Sequence, residues 1–522
     1  MPDAPGCFAR FLPTSRLPKS RKLKSKTTSS TPTSDPTVGQ PSNGKDSDIL
    51  SSSRPFDLTH FATCCDFSAC SGDPTNPPPY AASLEGIYRP EVLDTIEAEL
   101  NELDSELRKL SLQIHDHPEL GFNEHYAHDT LTAFMESHGF AVSRHFSDLD
   151  TAWRAEFAHG KGGRTLGVNA EMDALPGIGH ACGHNLIAVA GVGVALAVRA
   201  ALVKHAVAGR VVLLGTPAEE GGGGKAILVD HGAYDDMDVC VMCHPAPGPS
   251  QAFQVGSGLA MQSLEVEYFG RTAHASAAPW QGVNSLDAAF LAYSSISVLR
   301  QQILPTHRVH GTVFGRDWAA NVIPDYARMK WITRAPTWAE VDVLRERVVN
   351  CLKAAALATG CEYKLVQTSA YYDVRQNRPL AETLAATSRE RYGIPTTFID
   401  PSQMSASTDF GNVSYVVPAF HPNFHIPAPE GSGNHTVGFA DASATPAAHA
   451  AMLAMSKALA HASFRALDDA VFFASVRDSF EKEKRSKEGR WGGSRSSFEG
   501  GLILVWKRVP SSGDALAWLV PG

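Results

Sequence analysis

The stretch Asn169-Ala-Glu-Met-Asp-Ala-Leu-Pro-Gly-Ile-Gly-His-Ala-Cys-Gly-His-Asn185 decides the fold. It sets Glu171, Asp173, His180, Cys182 and His184 in a turn-rich segment between two apolar runs. Upstream, Thr165-Leu-Gly-Val-Asn169 reads as the end of a buried strand, and downstream Leu186 to Val198 is an unbroken apolar run that reads as a helix. A strand that stops at a Gly/Pro-rich loop before a helix is where open α/β sheets place their sites. Thiolate, imidazole and carboxylate are the common ligands of zinc, and Cys182-x-His184 brings two of them together. An ordinary loop with a buried cysteine and a hydrogen-bonded histidine would read the same in isolation.

A second cluster strengthens the metal reading. Thr216-Pro-Ala-Glu219-Glu220 again follows an apolar strand, Arg210-Val-Val-Leu-Leu-Gly215. Two adjacent carboxylates at a strand end repel unless a cation or a proton shares them. One can ligate metal while its neighbour removes a proton from water, and the glycines that follow leave the pair open to a ligand.

The rest of the chain alternates strand and helix. Glu91 to His115 and Asp129 to Gly139 keep helical spacing, and Thr151 to Phe157 reads as a strand. Asp238 to His244 reads as a strand ending in a histidine. This alternation predicts an α/β fold, with a mostly parallel sheet flanked by helices. From 254 to 368 the order becomes β-α-β-β-α-β, the ferredoxin-like signature, inserted between two halves of the larger domain at 83–253 and 369–483. The chain returns with a helix over Pro379 to Tyr392, a strand within Asp409 to Val417, and His421, His425 and His435 in a Pro/Gly-rich loop. Helices over Ala442 to Ala462 and Leu467 to Lys482 follow.

Two short patterns point elsewhere and do not hold. Cys240-Val-Met-Cys243-His244 matches a haem-attachment motif, but its cysteines belong to an apolar strand. Gly221-Gly-Gly-Gly-Lys225 suggests a phosphate loop, yet Ala226 stands where a hydroxyl residue is needed.

Composition bounds the function. The 522 residues leave room for two or three domains, and 43% hydrophobic with 19% charged residues is ordinary for a soluble globular protein. A net charge of −9 argues against a general nucleic-acid or anionic-membrane binder. Nine cysteines without regular spacing make no disulfide framework and fit a reducing, cytoplasmic compartment. No apolar run has the ~20 residues that a membrane span needs. Residues 1–82 are rich in Ser, Thr and Pro and read as a disordered tail. Its basic run, Arg16 to Lys26, raises mitochondrial import, although the prolines spoil an amphipathic helix. Residues 484–522 read as a variable tail.

Taken together, the runs MDALPGIGHACGHN, PAEEGGGG, MCHP, GRTAHAS, NVIPD and NHTVGF resemble the aminoacylase/carboxypeptidase G/amidohydrolase family of two-metal peptidases. CGHN and STDFGNVS (Ser407 to Ser414) are most similar to its Xaa-Arg dipeptidase-like branch. The resemblance implies two divalent ions, zinc with manganese or cobalt as alternatives, held by Cys182, His184, Glu220, His244 and His435. It implies Glu219 as general base and Asp173 as the group that orients a metal ligand. It further implies that the inserted domain is a lid and homodimer surface. There His274 would stabilise an oxyanion in a neighbouring subunit's site, while Asn321 and Arg334 would meet the substrate's carboxyl end. His115 and His117 match the family's amino-terminal signature but are not among its ligands. Asn185 departs from the CGHD of many relatives, and Glu171 stands where they often have Asp or His. The implied activity is hydrolysis of dipeptides with a free carboxyl end, a basic last residue being the branch's preference. N-acyl-amino-acid amidohydrolysis uses the same machinery. A catalytically silent binding protein would be expected to lose Glu219 or a ligand. A nucleic-acid binder would rest on the basic tail alone.

Overall fold

The computed structural model describes residues 86–249, 251–400, 406–488 and 503–507. The expected disordered tail at 1–82 lies outside the described residues, as does most of 484–522. The chain opens with α1 (Pro90–Glu102) and α2 (Asp104–His115), where the spacing suggests a single helix. No local signal marks the break at Leu103. Then come α3 (His125–Ser137), β1 (Ala141–Arg144), β2 (Trp153–His159) and β3 (Arg164–Glu171). The long apolar run becomes α4 (His184–Lys204), followed by β4 (Gly209–Thr216), α5 (Gly224–Asp230) and β5 (Val239–Val241). Helix α4 has the length of a membrane span, yet Leu186 to Val198 is buried in the core throughout. It is a core helix.

The short strands β6 (His244–Pro247) and β7 (Phe253–Val255) correct one expectation: His244 opens a strand instead of ending one. The chain changes sheets here, because His244 N–H bonds to Pro422 O and β6 pairs in a different sheet from β5. The inserted layer follows as β8 (Ala260–Phe269), α6 (Ser285–Leu299), β9 (Arg308–Gly315), β10 (Tyr326–Ala335), α7 (Trp338–Thr359) and β11 (Glu362–Gln367). Thr337 and Glu340 form a reciprocal capping box at the start of α7. The alternation in β8 and β10 turns Leu264, Val266, Tyr268, Met329 and Trp331 onto α6 and α7, giving this layer a core of its own.

The return consists of α8 (Arg378–Tyr392), β12 (Thr396–Phe398), α9 (Phe410–Val416), β13 (Ala419–Phe420) and β14 (Asn423–Ile426). Then come α10 (Val437–Ser443), α11 (Pro446–Asp468), α12 (Ala470–Glu488) and β15 (Ile503–Lys507). Residues 410–416 are helical where a strand is expected: Phe410, Val413 and Val417 keep helical spacing and fill one buried cluster. The main sheet has the order β1-β2-β4-β3-β5-β13. β3, β4, β5 and β13 run parallel, and β2 and β1 add an antiparallel edge. The inserted layer's antiparallel sheet has the order β15-β11-β8-β10-β9, so part of the expected tail adds a strand beside β11.

Candidate metal centre and active site

Parallel strands β3 and β4 pair with Glu171 opposite Thr216. Their carboxyl ends therefore deliver Glu171 and Asp173 next to Glu219 and Glu220, at the edge where α/β sheets bind ligands. Between Cys182 and His184, Gly183 takes φ +79°, a left-handed bend that turns the thiol's loop straight into the first residue of α4. His435 arrives from the loop after β14, and its N–H bonds to Ala181 O at 2.8 Å. The side-chain amide of Asn434 reaches Pro245 O at 3.2 Å and Cys182 Sγ at 3.8 Å, crosslinking three ligand loops.

The five expected ligands converge. Ligand atoms of Cys182, His184 and His244 lie mutually within 4.8 Å, and so do those of Cys182, Glu220 and His435. Cys182 is common to both sets, with its Sγ 3.4 Å from His244 Nε2. His435 Nε2 stands 3.4 Å from Glu220 Oε2, and His184 Nε2 stands 3.7 Å from Glu220 Oε1 and 3.9 Å from Glu219 Oε2. Among the described residues, His184 Nε2 and Glu220 Oε1 are buried without a hydrogen-bond partner. Buried polar atoms left this way are costly, and a cation among them would satisfy both. The residues present fit two divalent ions.

The electrostatics agree. Burial disfavours a charged imidazole at His184, but Asp173 Oδ1, 3.1 Å from its Nδ1, outweighs this and raises its pKa well above the ordinary value. With Nδ1 engaged by Asp173, Nε2 is the nitrogen left facing the cluster. Burial, then the charges of Glu171, Asp409 and Glu220, push the Glu219 carboxyl well above its usual range. Burial pushes the Cys182 thiol up to about 12. A nearby cation would reverse both shifts and release protons on binding.

A family model described as Peptidase family M20/M25/M40 matches residues 167–458, which carry all five of these positions and Glu219. The chain belongs to this peptidase family. It is a hydrolytic enzyme. The Xaa-Arg dipeptidase of Mus musculus is 41% identical over 404 residues, covering 74% of this chain and 91% of that protein. Among solved structures, an aminobenzoyl-glutamate utilization protein from Klebsiella pneumoniae matches with TM-score 0.58 at 19% identity, covering 72% of this chain and 99% of its own. A dinuclear metal-binding peptidase of the M20 family from Bacillus subtilis matches with TM-score 0.52 at 19% identity, covering 70% and 99%. At these identities the structures show a shared fold.

Within this M20 chain, the expected substrate residues stand apart from the five-ligand cluster. His274 and Asn321 are exposed neighbours on the inserted layer, joined through the His274–Val322 bridge and the Ala275 N–H bond to Asn321 O. Arg334 is half-buried and donates to Ser407 Oγ at 2.7 Å. Among the described residues, no hydrogen bond or ion pair joins these three to the cluster. His115 and His117 are structural, bonding to the carbonyls of Ala440 and Gln113.

Sequence reasoning misses Lys225, Asp409, Glu124 and Tyr371 behind the site. Lys225 Nζ lies 2.6 Å from both Glu171 Oε1 and Asp409 Oδ1, fully buried. Glu124, also buried, accepts the Ala218 N–H at 2.8 Å, and Tyr371 donates its hydroxyl to Glu219 O at 2.6 Å. For Lys225 a signal exists: a lysine that opens the apolar run Ala226-Ile-Leu-Val needs a partner if buried.

Proposed function

We propose that this M20 hydrolase cleaves dipeptides with a free terminal carboxylate and a basic carboxy-terminal residue. It would use two divalent cations, zinc in the first place, held by Cys182, His184, Glu220, His244 and His435. The observation that carries this reading is the position of Cys182 in both ligand sets with Glu219 beside them. The Xaa-Arg dipeptidase relative and the dinuclear description of the Bacillus subtilis peptidase support the substrate class and the metal count.

Cations bound there would polarise the scissile carbonyl and acidify a water. Glu219 accepts that water's proton on its carboxylate and delivers it to the departing amine nitrogen. Asp173 holds His184 in one tautomer through Nδ1. Asn321 and Arg334 receive the substrate's carboxylate, and His274 offers a donor to the developing oxyanion.

The test is a panel of dipeptides and N-acyl amino acids offered to zinc- or manganese-loaded protein. The expected result is turnover of dipeptides ending in Arg or Lys, loss on chelation and recovery when metal is returned. Preferred cleavage of N-acyl amino acids would replace the dipeptidase reading with the acylase one. No turnover of either class by fully loaded protein would reject both.

A homodimer through the inserted layer completes the proposal. Among the described residues strand β9 ends its sheet, and α6, which packs on its neighbour β10, exposes Phe290 at 59% and Val298 at 75%. An apolar face near such an end strand suits a second copy of the chain. His274, which makes no hydrogen bond or ion pair to its own chain's cluster among the described residues, would then serve the neighbour. Sedimentation should give a dimer for wild type and a monomer of lower activity for Val298→Glu; a monomeric, active wild type would overturn the dimer.

A further inference from the structure

The catalytic turn is held by three side chains from distant parts of the chain. Ala218 sits at φ +57°, a left-handed conformation that costs an alanine on the order of 1 kcal/mol or more. Its N–H donates to Glu124 Oε1, and the other oxygen of Glu124 accepts from Thr151 Oγ1 at 2.6 Å. Two residues on, Glu220 N–H donates to Asp173 Oδ2 at 2.9 Å. Between them, the Glu219 carbonyl accepts from Tyr371 Oη. The first two partners belong to the large domain, Glu124 just ahead of α3 and Asp173 just after β3. Tyr371 lies four residues past the end of β11, where the chain leaves the inserted layer and re-enters the large domain.

That connector is itself fastened. Tyr371 exchanges both backbone hydrogen bonds with Met261, the second residue of β8, at 2.8 and 2.9 Å, so it is tied to the first strand of the inserted layer. On its far side stands Ser407-Thr-Asp-Phe-Gly-Asn-Val-Ser414. Asn412 Nδ2 donates to Ala370 O, and Asn412 Oδ1 accepts from Tyr372 N–H, so one amide clamps the peptides on both sides of Tyr371. Gly411 makes the approach feasible, since a Cβ there would lie 1.9 Å from Tyr372 O.

We propose that Tyr371 is a positioning residue: held to the large domain by the Asn412 clamp and to the inserted layer by Met261, it fixes the Glu219 peptide, and with it the carboxylate, through its hydroxyl. The inference rests on Glu219 being the general base.

The test uses full-length, metal-loaded protein and the dipeptide that wild type turns over fastest, with Glu219→Gln as control. Tyr371→Phe removes one oxygen and keeps the ring. Misplacing a catalytic group without touching substrate binding should lower kcat by about tenfold and leave KM within about twofold. Bound metal and melting temperature should stay at the wild-type values. Asn412→Ala should give the same signature, and the double variant should be no slower than the slower single one. It also carries the test should Tyr371→Phe fail to fold. A kcat within twofold of wild type in these variants, a rise in KM alone, or a fall that tracks lost metal would overturn the proposal. If Glu219→Gln is fully active, the general-base reading falls and the proposal with it; if it is inactive while Tyr371→Phe is normal, only the proposal falls.

Discussion

Glu219→Gln should fold normally, bind its metals and turn over substrate on the order of 10²–10⁴ times more slowly than wild type, the range expected for losing a positioned general base. The two glutamates of the turn divide their work by position. Glu220 meets His435 Nε2 at 3.4 Å and shares a ligand set with Cys182, whereas Glu219 approaches His184 to 3.9 Å and shares a set only with Glu171 and His184, so metal analysis of the variant decides between base and ligand. The amide in Glu219→Gln keeps the shape of the carboxyl and its place in the turn, but cannot take a proton. Its burial beside Glu171 and Asp409 even favours a neutral side chain, since those groups push the Glu219 carboxyl up. In the metal-free protein the variant should therefore be at least as stable as wild type, and in the loaded protein it should lose kcat. Denaturation and metal analysis beside steady-state kinetics check all three points. Full activity would remove Glu219 from the chemistry, and lost metal would make it a ligand instead.

The residues that carry this chemistry are legible in the sequence because each sits in a short local pattern. Cys182 and His184 share a turn, Glu219 and Glu220 are adjacent at a strand end, and the long apolar run that becomes α4 announces a core helix beside them. The dense apolar alternation of β8 likewise announces the inserted layer. What escapes is set by contacts that no local pattern encodes. The sheet β12-β7-β14-β6 is built from strands of three or four residues, too short for any periodicity. His244 opens a strand because the chain crosses to that second sheet, an event written in its pairing with Asn423 and not in its neighbours. Helix α9 hides behind the β-branched run Val413-Ser-Tyr-Val-Val417, and its first turn is fixed by hydrogen bonds to residues 370 and 372. Tyr371 and Glu124 act on backbone groups about 150 and 94 positions away, distances over which sequence carries no signal.

Lys225 is the extreme case, and the variant expected to damage the fold most. Its ammonium is fully buried, 2.6 Å from Glu171 Oε1 and 2.6 Å from Asp409 Oδ1, and its backbone N–H also donates to Asp409 Oδ2 at 2.8 Å. The group joins the end of β3, the start of α5 and the start of α9. Lys225→Met keeps the length and the apolar stem but leaves two buried carboxylates without their cation. Removing one partner of a buried ion pair costs about 3–5 kcal/mol, and this site loses the partner of two. Urea unfolding should show a midpoint lowered accordingly at an unchanged slope. The loss should depend on pH in a defined direction. Burial, resisted by Lys225, already pushes the Asp409 carboxyl up to about 6. Between about pH 4, the unfolded value, and pH 6 the folded chain holds a proton that the unfolded chain has released. That contribution is greatest at low pH and is lost as pH rises through 6. Without Lys225 the Asp409 carboxyl climbs further and the Glu171 carboxyl loses the cation that holds it down, so the variant should lie closer to wild type at pH 5 than at pH 8. Adding Glu171→Gln and Asp409→Asn to Lys225→Met removes the stranded charges and should recover much of the loss, because neutral amides cost less to bury than unpaired carboxylates. If the single variant unfolds like wild type at pH 8, the triad is not the tether that its distances describe.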